Sequence, residues 1–313
     1  MNIVFMGTSD FAVPSLERLI ASPHSVAGVV TQPDRIRGRG KKIGVSPVKE
    51  RALKHGIAVS QPEKIKVDSA VEQVKSWQPD MIVVVSYGQI IPGQLIDYPR
   101  YGCINVHASL LPRYRGAAPI QRALMNGESL SGVTTMYMDE GLDTGDIILQ
   151  LPVAIEDSYD HGQLEAILAA KGADLLLETI EQITGGTAPR LSQDNNQADY
   201  AQRIKAEDEI INWSHPAVAI HNRIRALSPT PGAWFGMDGY KVKVFKSRVT
   251  DAMESGVVAQ VVAVDGDGFS VQCGKGILEI EEVQREGKKR IRARDFLRGY
   301  KLKPGTVLAH PEE

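Results

Sequence analysis

Cysteine is almost missing from this chain: Cys103 and Cys273 stand alone in 313 residues, too few and too far apart for a disulfide framework or a thiolate metal site. Net charge is almost missing too. The 36 basic and 38 acidic side chains leave −2, so no global field draws a polyanion, and such a partner has to be met by a local patch. No apolar run approaches the ~20 residues of a membrane-spanning helix. The opening Met1-Asn2-Ile3-Val4-Phe5-Met6 lacks the basic and long apolar regions of a secretory signal. These absences predict a cytoplasmic protein with no membrane contact and no metal. The three-glycine dinucleotide fingerprint is also lacking. The first turn reads Gly7-Thr8-Ser9-Asp10-Phe11-Ala12, with one glycine and an acid where a pyrophosphate would sit, which argues against hydride transfer.

What is present is ordinary globular composition, 42% hydrophobic and 24% charged, over a length that suits about two domains. Short Val- and Ile-rich runs alternate with helical patterns: Ile3–Met6 then Pro14–Ala21, Val26–Thr31 then 46–55, Met81–Val85, Ile104–His107 then Ala118–Asn126. Alternation of this kind predicts an α/β domain with an open, mostly parallel, Rossmann-like sheet. A closing helix is expected over about 162–183. Beyond it, Gly185-Gly186 and the polar tract around Asp194-Asn195-Asn196-Gln197 read as a linker. Past 205, a helix at Pro216–Leu227 precedes about five short runs, including Val257–Val264, separated by turn chemistry, which suits a small OB-like β-barrel. The expected division is 1–188, a linker at 189–206, and 207–313.

Chemistry concentrates in Cys103-Ile104-Asn105-Val106-His107 and the loop after it. On a strand, Asn105 and His107 share one face and Ile104 and Val106 the other, at the carboxyl end where open α/β sheets place their crevice. A histidine charged by a neighbouring acid can hydrogen-bond a developing oxyanion. The acid is sought in Met138-Asp139-Glu140-Gly141-Leu142-Asp143-Thr144-Gly145-Asp146. Glycines frame Asp143, Asp139 and Asp146 could serve as caps, and composition does not rank the three. Ser109 lacks the Gly-x-Ser-x-Gly elbow of a nucleophile, and Leu110-Leu111-Pro112 look like an apolar edge for a flat ligand. Two basic stretches stand out. Arg35, Arg37, Arg39, Lys41, Lys42 and Lys49 crowd a glycine-rich segment with no acid. Nine basic residues fall between Arg285 and Lys303, among them Lys288, Lys289 and Arg290. Both predict phosphate contacts, and two basic stripes on two domains suit an elongated polyanion. The first segment is also expected to be mobile until its partner arrives.

The triplet Asn105-Val106-His107, the run Ser109-Leu110-Leu111-Pro112-Arg113-Tyr114-Arg115-Gly116-Ala117-Ala118-Pro119-Ile120-Gln121 and the loop Met138 to Asp146 together resemble the folate-dependent formyltransferases. The opening Gly7 to Ala12, the basic insertion from Thr31 to Lys42 and Arg225-Ala226-Leu227-Ser228-Pro229-Thr230-Pro231-Gly232-Ala233 extend the likeness over essentially the whole chain, toward members that act on a tRNA. The resemblance implies formyl transfer from 10-formyltetrahydrofolate to the α-amino group of methionyl initiator tRNA, without metal; a monomer is expected. It puts the catalytic trio on Asn105, His107 and Asp143 and folate contacts on Ser109, Leu110, Leu111 and Pro112. It sends the basic insertion to the acceptor stem and gives the barrel a supporting role on the tRNA. Ser9 and Tyr137 depart from its usual Pro and Gln. Competing readings are a formyltransferase for a sugar nucleotide or other small amine, a formyltetrahydrofolate hydrolase, and an RNA-binding protein with no chemistry.

Overall fold

In the computed structural model, which describes residues 1–37, 42–251, 256–300 and 302–308, every residue of the strand Met81–Val85 is buried. A strand covered on both faces has no reason to alternate, which is why this one reads as an unbroken apolar run. The sheet around it runs, edge to edge, Ile147–Ala154, Leu130–Tyr137, Cys103–His107, Met81–Val85, Asn2–Gly7, Ser25–Val30 and Val59–Ser60. Pairing is parallel from Cys103–His107 to Val59–Ser60. It turns antiparallel where Leu130–Tyr137 joins the other edge of Cys103–His107 and pairs in turn with Ile147–Ala154.

The helices sit where the sequence signals place them. Ser46 accepts the Lys49 backbone N–H at 3.0 Å and Pro47 opens the helix Pro47–Lys54, a side-chain cap with proline in the first turn. Asp160 and Gln163 exchange bonds of 2.9 and 3.0 Å ahead of the long helix His161–Thr184, the reciprocal arrangement of a capping box. One layer of core joins Val4, Met6, Ile82 and Val84 to Val71 and Val74 of the helix Asp68–Ser76, each such burial contributing roughly 1.5–3 kcal/mol.

The chain forms two compact units, one of Met1–Pro119, Leu130–Ala154 and Glu165–Ala201, the other of Ile120–Ser129, Ile155–Leu164 and Gln202–Glu313. The second unit carries the helix Ala217–Ala226 and an antiparallel sheet ordered Ala233–Met237, Tyr240–Thr250, Ile277–Arg285, Phe269–Gln272, Val261–Val264, with Ile291–Arg292 also paired to Ile277–Arg285. Its core gathers Ile220, Ile224, Phe235, Val244, Phe269 and Ile280.

Two expectations change. Val257–Val264 is a strand only from Val261. Val257 and Val258 are exposed, and a turn forms instead, with the Gln260 N–H on the Val257 carbonyl and the Gln260 side chain on the Val257 N–H. Residues 189–201, expected within the linker, are bonded into the first unit. Tyr200–Ala201 pairs with Arg115–Gly116, and the Leu191 backbone bridges to Ile147. Among the described residues no helix is long and apolar enough to cross a membrane.

Candidate active site

Cys103–His107 is the last strand of the parallel block, and its two faces are spent differently. On one side a Cβ added at Gly172 of the long helix would lie 3.0 Å from Val106, so helix backbone covers the Ile104/Val106 face. The opposite face carries Asn105 and His107, 8% and 6% exposed. Asp143 reaches both: Asn105 Nδ2 donates to Asp143 Oδ1 at 3.4 Å, and His107 Nδ1 lies 3.7 Å from Asp143 Oδ2. The other ring nitrogen, Nε2, is 2.9 Å from the Tyr114 carbonyl. A carbonyl only accepts, so Nε2 carries a hydrogen and Nδ1 is the nitrogen left for chemistry.

Geometry ranks the three acids that composition left level. Asp139 closes its own loop, accepting from the Gly141 N–H and from the Thr144 hydroxyl at 2.8 Å. Asp146 pairs with Arg190 at 3.4 Å and accepts from Ser192. Asp143 alone of them faces the histidine, and its Oδ2 also takes the Gly116 N–H at 2.8 Å. Its backbone sits at φ 55°, a left-handed conformation that aspartate tolerates better than most side chains. Two residues on, a Cβ at Gly145 would stand 1.8 Å from the Tyr137 carbonyl oxygen, so only glycine lets the loop return to its strand.

The segment 109–112 is tied to the sheet. Ser109 is buried and its hydroxyl donates to the Arg113 carbonyl at 2.6 Å, leaving it no part as a nucleophile. Leu111 is buried with Met136 and Ile147, and its carbonyl accepts from Gln150 at 2.8 Å. Leu110 and Pro112 are the two half-buried members. The Leu110 side chain lies over Gly132 of the neighbouring strand, and Leu142, next to Asp143 in the chain, is 58% exposed. Burial pushes the Cys103 thiol far up, so it is no thiolate nucleophile.

One residue of the site was missed in the sequence. Gln193, in the polar tract read as linker, accepts from Arg115 Nε and Nη2 at 3.1 and 2.8 Å and donates to the Asp143 and Gly145 carbonyls at 2.9 and 2.7 Å. Nearby, Asp199 accepts the Tyr114 N–H and lies 3.5 Å from Arg113 Nε. A glutamine in a run of Asp, Asn and Gln carries no spacing signal, so periodicity could not single it out.

Of the basic candidates, Arg35 is exposed, and the backbones of Arg37 and Lys42 pair across a short antiparallel ribbon, Arg35–Arg37 with Lys42–Gly44. Arg39 and Lys41 lie outside the described residues. At the base of this insertion Lys49 binds Asp34 at 2.5 Å and Gln61 donates to Asp34 at 2.8 Å. The Lys49 bond, then the Gln61 bond, hold the Asp34 carboxyl below its ordinary range. In the second unit Lys288 and Lys289 are exposed. Arg290 is exposed as well, but it pairs with Glu282 and stacks over Phe245, 4.6 Å from the ring centre. Among the described residues no group of three or more His, Cys, Asp or Glu is placed to hold a metal ion.

Two family models match the chain: formyl transferase over residues 1–180 and formyl transferase, C-terminal domain, over 203–301. The methionyl-tRNA formyltransferase of Syntrophomonas wolfei is 57% identical over 313 residues, all of both chains. That of Moorella thermoacetica is 49% identical over 308 residues, 98% of this chain and 99% of its own. Among solved structures, an N-formyltransferase from Helicobacter canadensis in complex with folinic acid and dTDP-3-aminofucose aligns with TM-score 0.65 at 22% identity, over 90% of this chain and 98% of that one.

Proposed function

The chain belongs to the formyl transferase family, and from that premise we propose that it moves the formyl group of 10-formyltetrahydrofolate to the α-amino group of methionyl initiator tRNA, the step that readies that tRNA for translation initiation. The observation that carries the chemistry is Asp143 reaching both Asn105 and His107 on one strand face, at 3.4 and 3.7 Å. Support for the acceptor comes from two relatives, 57% and 49% identical over nearly the whole chain, both methionyl-tRNA formyltransferases.

The donor, when bound, supplies an activated formyl carbon. Asn105 has a second amide hydrogen beyond the one given to Asp143 and turns it toward the negative charge that develops on the formyl oxygen. His107 works through Nδ1, since Nε2 is committed to Tyr114. A proton on Nδ1 donates to the same oxygen, and the Asp143 carboxylate balances the imidazolium. Asp143 also takes the proton that the attacking amine gives up, through a water, and that proton passes to the folate nitrogen as its bond to the formyl carbon breaks, so tetrahydrofolate leaves as the amine. Prearranged donors of this sort usually matter by 10²–10³-fold each. Leu110 and Pro112 flank the donor ring, with Ser109 and Leu111 holding their backbone in place. Arg35, Arg37, Arg39, Lys41 and Lys42 contact acceptor-end phosphates, and Lys288 and Lys289 the stem, with Arg290 shaping that turn. The protein acts as a cytoplasmic monomer.

A formyl-transfer assay offering methionyl initiator tRNA, methionyl elongator tRNA and a dTDP-amino sugar side by side, with free formate measured in each, tests the reading. Transfer confined to the initiator tRNA is expected. Preferred transfer to the sugar, or formate release without transfer, refutes it.

A further inference from the structure

Gln193 ties the backbone of the Asp143 loop to the segment at its back, through the Asp143 and Gly145 carbonyls. Its amide cannot be reversed without breaking the set of bonds it makes. Arg115 is 1% exposed and among the described residues forms no ion pair. Both Nε and Nη2 of its guanidinium point at Gln193 Oε1. A guanidinium only donates, so the oxygen of the Gln193 amide must face Arg115, and the nitrogen must face the Asp143 and Gly145 carbonyls. Asp143 is held by these bonds in a left-handed conformation, φ 55°, which aspartate tolerates but does not prefer. Its carboxylate is fixed separately, by the N–H of Gly116, the residue that follows Arg115. Arg115-Gly116 thus grips Asp143 twice, at the carboxylate directly and at the backbone through Gln193.

We infer that Gln193 is a positioning residue for Asp143, fixing the left-handed turn that aims the carboxylate at Asn105 and His107. This rests on the catalytic role proposed for Asp143, so its test has to separate the two. Gln193→Glu keeps an acceptor for Arg115 and removes both donors to the loop carbonyls. Gln193→Ala removes everything. We expect Gln193→Glu to lower kcat by about 10- to 100-fold with both KM values within about twofold, the pattern of a group that acts in the transition state. Its melting temperature should fall less than that of Gln193→Ala, because the carboxylate still meets Arg115, which the alanine leaves stranded in the interior. In an Asp143→Ala background, Gln193→Glu should cost nothing further, since a residue acting through Asp143 has nothing left to position. A full additional loss in that background, a rise in KM at unchanged kcat, or wild-type kcat in Gln193→Glu overturns the inference. Wild-type kcat in Asp143→Ala overturns the catalytic reading instead.

Discussion

Replacing Asp143 by asparagine is the sharpest perturbation of the site, because it keeps the volume and, at φ 55°, swaps one tolerant residue for another. The carbonyl of the new amide will hold the Gly116 N–H that Asp143 Oδ2 now accepts at 2.8 Å. Its NH2 must then occupy the Oδ1 position, 3.4 Å from Asn105 Nδ2, donor against donor. The charge facing His107 Nδ1 at 3.7 Å also disappears. Two unit charges about 4 Å apart interact by about 4 kcal/mol at an effective dielectric of about 20, and each 1.36 kcal/mol is about tenfold in rate. Full expression in the transition state therefore gives a loss of about 10³-fold in kcat. Loss of the donor arrangement alone gives about 10²-fold. The assay is single-turnover formyl transfer at saturating donor and methionyl initiator tRNA, with folate binding and thermal unfolding measured on the same sample. Turnover within about threefold of wild type, well short of the ~10² expected from a lost donor, refutes the argument. So does a loss that merely follows folate affinity or melting temperature.

In the second unit, Arg122 donates to both Asp208 oxygens at 2.9 and 2.7 Å and, ahead of the Lys205 N–H, holds that carboxyl below its ordinary range. A depressed folded-state pKa contributes stability that is complete above the unfolded value near 4 and fades as pH falls through the folded one. Asp208→Asn should therefore lower stability by about 1–3 kcal/mol at pH 7 and converge on wild type in acid, and a gap in urea midpoint that is constant from pH 7 to 3 contradicts this. Neutralising Lys288 and Lys289 should flatten the salt dependence of tRNA binding, while Arg290→Gln, whose charge Glu282 already balances, should change that slope less; equal slopes for all three variants would refute the distinction. Neutralising Arg39, Lys41 and Lys42 together should reduce kcat/KM for methionyl-tRNA at physiological salt with folate affinity unchanged, and a parallel fall of both would mean that the insertion supports the whole crevice.

Periodicity carried the reading as far as strand faces. It put Asn105 and His107 together because a strand alternates, and the buried face under Gly172 bears that out. It foresaw the parallel block because short Val- and Ile-rich runs alternate along the chain with helical patterns. It could not rank Asp139, Asp143 and Asp146, since the difference among them is a loop conformation set by Gly116, Gln193 and the close approach at Gly145. It could not see that Arg290 is already paired, because Glu282 meets it across a strand pairing rather than at a helical spacing. Gln193 was hidden for another reason. A polar tract looks solvated whenever its partners, here Arg115 and two carbonyls, lie far away in sequence. Val257 and Val258 erred the other way, β-formers by composition that end in a turn with their side chains in solvent.

The ribbon Arg35–Arg37/Lys42–Gly44 stands on a fixed footing: Asp34 just before it, Lys49 just after it and Gln61 beside them. None of those three belongs to the stretch that the ribbon carries. Substitutions in the ribbon strands would therefore leave this footing, and the trio on its separate strand and loop, as they are. The ribbon is thus anchored by side chains it does not itself supply, so its own sequence is free to vary without disturbing the anchor.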